Sequence, residues 1–264
     1  MKKIGINMGC YGDGLAPEEQ IKYMAENGFE TTFMGSDSPL LEGLVPILRR
    51  AGITCENCHA PFGRINDIWY AGEAGEAMLA RLTSGVRACA KNEIPTLVVH
   101  LSSGEQAPRI NDIGSERFDR LMEEARRCGV TIAYENQRKL ANLSMAMEQY
   151  PEAGFCWDVG HEACFTNGRE YMPLFGKRIA ALHLQDNRCE YNKDEHLLPY
   201  DGAIDMELAA RRIAESGYEG SIMLEVIRRN SNNYNDLFPA EYYRRAADAA
   251  RRFAQAVEAA STEL

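Results

Sequence analysis

All five histidines of this 264-residue chain lie at, or just beyond, the ends of strand-like apolar runs. His59 closes GITCENCH, His100 closes PTLVVH, His161 follows GFCWDVG, His183 lies inside IAALHL, and His196 sits in the loop after it. Carboxylates hold matching places: Glu135 in VTIAYEN, Asp158 in FCWD, Asp186 just past His183, and Glu225 in SIMLEV. Glu135, Asp158, His183 and Glu225 fall on four successive strands, so one rim could bring them together. Three carboxylates and one imidazole make an oxygen-rich shell suited to one divalent ion, with Mn²⁺ favoured and Mg²⁺, Co²⁺ or Zn²⁺ as alternatives. Taken singly, a strand-end carboxylate is more often a cap and a histidine more often a satisfied buried group. Four of them on adjacent strands favour a metal, because buried carboxylates need a compensating charge.

The elements that must position these residues alternate along the chain. Strand-like runs cover residues 3–9, 30–34, 53–59, 96–101, 130–135, 154–158, 179–184 and 221–226. Helical periodicity covers 17–27, 40–50, 73–91, 112–128, 139–150, a weaker 169–175, a stretch capped by Asp205, and 240–260. Pro17 opens its helix where the missing N–H costs nothing, and Gly52 and Gly129 terminate theirs. Eight strand-plus-helix units imply an α/β fold with a parallel sheet, and eight is the number that closes a (β/α)8 TIM barrel. The expected organisation is one barrel domain over residues 1–264, with a doubly wound open sheet as the alternative. In such a barrel the chemistry sits on the C-terminal rim of the strands, where the candidate residues fall.

Composition narrows the partners. Hydrophobic residues make up 45% and charged residues 26%, enough for a substantial core. The net charge of −10 and pI near 5.1 oppose binding to a polyanion, so no nucleic-acid partner is expected. No apolar run approaches a membrane span. Eight cysteines without a secretory signal point to reduced thiols in the cytoplasm. Cys55, Cys58 and His59 spell a haem-attachment pattern, but strand residues three apart point to opposite faces, and buried thiols are the better reading. Trp157 reads as packing, whereas Trp69, in a loop-like stretch, could close over a ligand. The long C-terminal helix offers a surface for a homo-oligomer.

The strings HAPFG, VVHLSSG, IAYENQ, CWDVGH, ALHLQDN, DEHLLPYDGAID and IMLEV, in this order, resemble the xylose isomerase-like TIM-barrel superfamily, and more narrowly its sugar phosphate isomerase/epimerase group. The resemblance implies that Glu135, Asp158, His183 and Glu225 bind the metal. It also implies that Glu135 and Glu225 flank the substrate carbon as acid–base pair, one removing a proton and the other returning it. His161 would contact a substrate oxygen, and Arg188 would hold a hydroxyl or phosphate. The implied activity is isomerisation or epimerisation of a small sugar, keto-sugar or sugar phosphate through an enediolate. A polyol-ketone dehydratase on the same site is the nearest rival. In the endonuclease IV branch, positions matching His59, His100, Asp194 and His196 help build a three-zinc cluster that cleaves abasic DNA, which makes a zinc phosphodiesterase the second rival. On the present reading His59, His100 and His196 line the substrate pocket.

Overall fold

The computed structural model describes residues 2–12 and 14–263. Its strands are β1 (Ile4–Ile6), β2 (Thr31–Gly35), β3 (Thr54–His59), β4 (Thr96–Val99), β5 (Thr131–Glu135), β6 (Gly154–Asp158), β7 (Ile179–His183) and β8 (Ile222–Leu224). They pair in parallel and in chain order, and β8 pairs back onto β1. A parallel bridge between Leu184 and Leu224 joins β7 to β8 and completes the ring. Helices α1 (Pro17–Glu26), α2 (Leu41–Arg50), α3 (Glu73–Lys91), α4 (Asp112–Cys128), α5 (Leu140–Gln149), α6 (Val159–Phe165), α7 (Met172–Phe175), α8 (Met206–Ser216) and α9 (Pro239–Thr262) follow the strands. This is a (β/α)8 barrel. Among the described residues no helix is long and apolar enough to cross a membrane.

Each helix covers the sheet with one apolar stripe. In α4, Phe118, Leu121, Met122 and Ala125 are buried at helical spacing. Asn111 caps its first turn by accepting the Gly114 N–H, and Gly129 ends it at φ 67°. Inside the barrel, strand alternation decides everything that matters for the site. Val98, Ala133, Cys156 and Ala181, from four adjacent strands, form a small buried cluster of their own. Two residues further along the same strands, and so on the same face, stand His100, Glu135, Asp158 and His183. Small side chains fill the narrow interior and the polar residues make the layer above.

Three local expectations need correction. The chain after β6 enters α6 at once, because Asp158 caps it by accepting the His161 N–H at 2.6 Å; the helix expected over 169–175 shrinks to α7, with Pro173 in its first turn and Gly176 after it. Cys55 and Cys58 do not point to opposite faces. A register shift in the β2–β3 pairing skips Glu56, and both thiols join the main core. Trp69 is fully buried in a 3₁₀ turn over Ile65–Trp69, packs on Phe118, and donates its indole N–H to the Leu101 carbonyl at 2.7 Å. It anchors the loop beside His100 rather than covering a ligand.

That anchor depends on Gly114, where a Cβ would lie 2.0 Å from the Trp69 ring. Gly114→Ala is expected to lower stability by about 1–3 kcal/mol, the usual cost of overpacking, and thermal unfolding would read the change. An unchanged melting temperature would contradict this account of the packing.

Candidate metal centre

The layer above the small-residue cluster forms the floor of a cleft of about 250 Å³, lined by His59, Phe62, His100, Ser103, Glu135, Gln137, Arg138, His161, Phe165, Asp194, His196 and Glu225. Ligand atoms of Glu135, Asp158, His183 and Glu225 all lie within 4.8 Å of one another. Such spacing fits one divalent ion held at metal–ligand distances of about 2.0–2.2 Å. His183 turns Nδ1 to this group, 3.2 Å from Glu225 Oε2 and 3.4 Å from Glu135 Oε1. The Phe33 ring stacks on its imidazole at 4.6 Å and 16°. The donor set is therefore convergent, buried and oriented.

Glu135 is the hub. Its Oε2 lies 3.1 Å from His59 Nε2 and 2.7 Å from His100 Nε2, while Oε1 lies 3.2 Å from His161 Nδ1 as well as near His183. His59, His100 and Glu135 form a second group with metal-ligand spacing, sharing Glu135 with the first. Asp194 forms a further node: its Oδ2 is 3.2 Å from His161 Nε2 and 3.1 Å from His196 Nε2. The ring of His100 leaves Nδ1 buried without a hydrogen-bond partner, and that of His183 leaves Nε2 so.

Burial and charge contend throughout. Burial opposes ionisation of Glu135, yet His100 and His183 outweigh it and hold the carboxyl well below its usual range. Burial likewise opposes the charge of Glu225, which His183 brings down to about 2. Asp158 goes the other way: burial, reinforced by Glu225 and Glu135, pushes it up to about 8. His183 is desolvated but rises well above an ordinary imidazole, because Cys156 and the two glutamates surround it. His196, desolvated but beside Asp194, rises to about 9. Burial leaves His100 below its normal value. Imidazolium charge thus balances carboxylates that a divalent ion would otherwise neutralise.

A model of the xylose isomerase-like TIM barrel family matches residues 18–254. The chain belongs to that family. Among curated proteins it is similar to the uncharacterized protein y4fM of Sinorhizobium fredii (strain NBRC 101917 / NGR234), 28% identical over 151 residues. That match covers 57% of this chain and 47% of y4fM, about half of the relative's length. Among solved structures, D-psicose 3-epimerase of Clostridium cellulolyticum H10, crystallised with D-tagatose, superposes with a TM-score of 0.76 at 16% identity, covering 97% of this chain and 99% of the other. The IOLI protein with a bound zinc atom gives 0.75 at 16% identity over 98% and 99%. At these identities the structural likeness speaks for the shared barrel.

Within this xylose isomerase-like barrel, His59, His100, His161 and His196 stand in the cleft with Glu135 and Glu225. Arg188 does not line it; its guanidinium pairs with Glu195 and reaches Asn233 at 3.4 Å. Asp186, grouped by sequence with the rim carboxylates, instead accepts the backbone N–H groups of Asn187, Gly202 and Ile204 and shapes the long loop after β7. Its neighbour Gln185 has a role that no expectation assigned. Gln185 donates to Asp194 at 2.8 Å and to both Asp158 oxygens at 3.3 Å, and accepts the His196 N–H at 3.0 Å. Alternation was the available signal, since a residue two beyond His183 faces the same side. Gln137 closes the IAYENQ string without an expected role and Arg138 lies just past it, and only the loop after β5 brings them to the wall.

Two outcomes follow from this geometry. Loading a divalent ion at pH 7 releases protons, because the metal-free centre holds them on Asp158, near pKa 8, and on His183, and both must deprotonate to ligate. Affinity therefore falls with pH below about 8, where Asp158 takes up its proton, and the proton on His183, held well above an ordinary imidazole, adds to that loss, each displaced proton costing about tenfold per pH unit. Calorimetric titration of Mn²⁺ in buffers of different ionisation heat measures this; metal uptake without proton release would contradict it. Gln185→Leu keeps the volume and removes the amide, and metal affinity should fall by about 10–100-fold, as for other lost supports of metal ligands.

Proposed function

We propose that this protein is a divalent-metal-dependent isomerase or epimerase of a small sugar, keto-sugar or sugar phosphate, working by proton transfer through an enediolate. The observation that carries the reading is the joint placement of Glu135 and Glu225. Both belong to the four-donor group, and both line the same small cleft. Family membership and the barrel shared with D-psicose 3-epimerase support it.

A divalent ion at Glu135, Asp158, His183 and Glu225 would supply Lewis-acid charge for two adjacent substrate oxygens. The chain's own groups do the rest. Glu225 is the more accessible glutamate, with 16% side-chain exposure against 1% for Glu135. With both carboxyls held in the ionised range, either accepts a proton from carbon, and the other returns one after taking it from solvent, the first losing its proton to solvent in turn. His161 is fixed by Asp194 on Nε2 and by Glu135 and Gln137 on Nδ1, so it reaches a substrate oxygen only by exchanging one of these partners for it, with its ring already oriented at the cleft wall. Phe62 stacks on His100 at 4.9 Å and is 51% exposed; it offers an apolar wall to the ring or chain of a sugar and shields the floor from water.

Glu135→Gln and Glu225→Gln are each expected to cut exchange of the substrate carbon proton with solvent deuterium by about 10²–10⁴-fold. Exchange that persists at the wild-type rate in both variants would sink the proposal. A dehydratase acting on a polyol ketone would use the same centre and is recognised by release of an unsaturated product.

A hydrolytic reading, a zinc phosphodiesterase or abasic-site nuclease, draws on a different observation. The His59–His100–Glu135 group and the His161–Asp194–His196 node adjoin the four-donor centre, and the earlier assignment of these histidines to substrate alone does not use that spacing. The net charge of −10 weighs against a DNA backbone. Metal analysis separates the two: several tightly held zinc ions with cleavage of abasic DNA would replace the isomerase reading.

A further inference from the structure

The cleft wall carries one cation that neither the metal chemistry nor the acid–base pair uses. Arg138 follows β5 by three residues and lines the same cavity as Glu135 and His161. Its guanidinium carbon stands over the Phe165 ring, 3.5 Å from the centroid. Its Nε donates to Asn192 Oδ1 at 3.1 Å. Asn192 is itself held, with its backbone N–H on the Cys164 carbonyl at 2.9 Å and its amide on Glu105. The arginine is thus fixed on one face by an aromatic ring and on one edge by an amide. Among the described residues no carboxylate forms an ion pair with it, although acidic side chains outnumber basic ones, 39 to 29. A guanidinium held this way keeps its two terminal nitrogens for a planar or tetrahedral anion, which it binds as a fork.

We propose that Arg138 receives an anionic group of the substrate, a phosphate or carboxylate, and thereby makes this centre selective for charged over neutral sugars. The inference rests on the isomerase/epimerase reading for the word substrate, and it moves the anion-binding role from Arg188, which is spent on Glu195, to Arg138. The placement divides the work of the cleft. Carboxylates and imidazoles on the floor serve the metal and the reacting carbons, while the Arg138–Phe165 pair at the wall anchors the far end. Remote binding of this kind orients the reacting carbon between the two glutamates.

The test is equilibrium binding to the Mn²⁺-loaded protein, so its outcome does not depend on turnover or on which glutamate moves the proton. D-fructose 6-phosphate, D-glucuronate and D-fructose serve as probes. Wild-type protein should bind at least one anionic probe about tenfold or more tighter than D-fructose, as a charge-assisted fork would give. Preference for the phosphate probe or for the carboxylate probe assigns the anion. Arg138→Met should erase the preference while leaving D-fructose binding unchanged, and Arg138→Lys, charged but unable to fork, should restore part of it. Asn192→Ala, which frees the guanidinium edge, should lower the preference several-fold. Equal binding of all three probes by the wild type, or a preference that survives Arg138→Met, overturns the inference. Failure of the isomerase reading shows elsewhere, as proton exchange that persists in both glutamate variants.

Discussion

Glu135 is contacted by four imidazoles in the buried mouth of the barrel, and the rest of the site is organised around that contact. A carboxylate almost wholly removed from water keeps its charge only when positive charge or N–H donors surround it. Asp158, Glu225 and Asp194 raise the same requirement nearby, and together they account for the histidines. Each imidazole in the cleft has a carboxylate within hydrogen-bonding range, and His161 and His196 share one. The ordinary composition of a metal centre and the electrostatic needs of a buried acidic cluster are here the same arrangement. Gln185 and Gln137 then fix the directions that charge alone leaves free.

The barrel supplies this crowding through its parity. Parallel strands with side chains alternating in and out bring every second residue into the lumen, and small residues below force functional residues into the layer above. The same parity sends Asp186 outward to serve as a backbone anchor while Gln185, its neighbour, enters the site. One residue of register separates a structural carboxylate from a functional amide.

A working division also runs across the cleft. Its floor is built from strand ends and is rigid by virtue of the sheet; its wall, with Phe62, Arg138 and Phe165, comes from the loops and the short helix beyond the strands. The convergent carboxylates and imidazoles belong to the floor. The wall is where substitution costs the fold least.

Most of the barrel was legible in the chain, because strand and helix periodicities repeat eight times and the helix stops are marked by Gly52 and Gly129. That Glu135, Asp158, His183 and Glu225 come together was legible too, since each stands at or just past the end of a strand and strand ends share one rim. Where Arg188, Trp69 and Arg138 stand could not be read from the chain for a common reason. Their roles depend on loop paths, and loops carry no period from which direction can be read. The bulge skipping Glu56 reversed the expected sidedness of Cys55 and Cys58 in the same way, as a local break in alternation invisible in residue types. Sequence by itself determined the fold class, the donor types and their order around the ring, because these follow from periodicity and from which residues end each strand. Only the tertiary structure decided that one glutamate binds four imidazoles and that Arg138 lines the cleft, because distances between strands and the course of loops arise from packing.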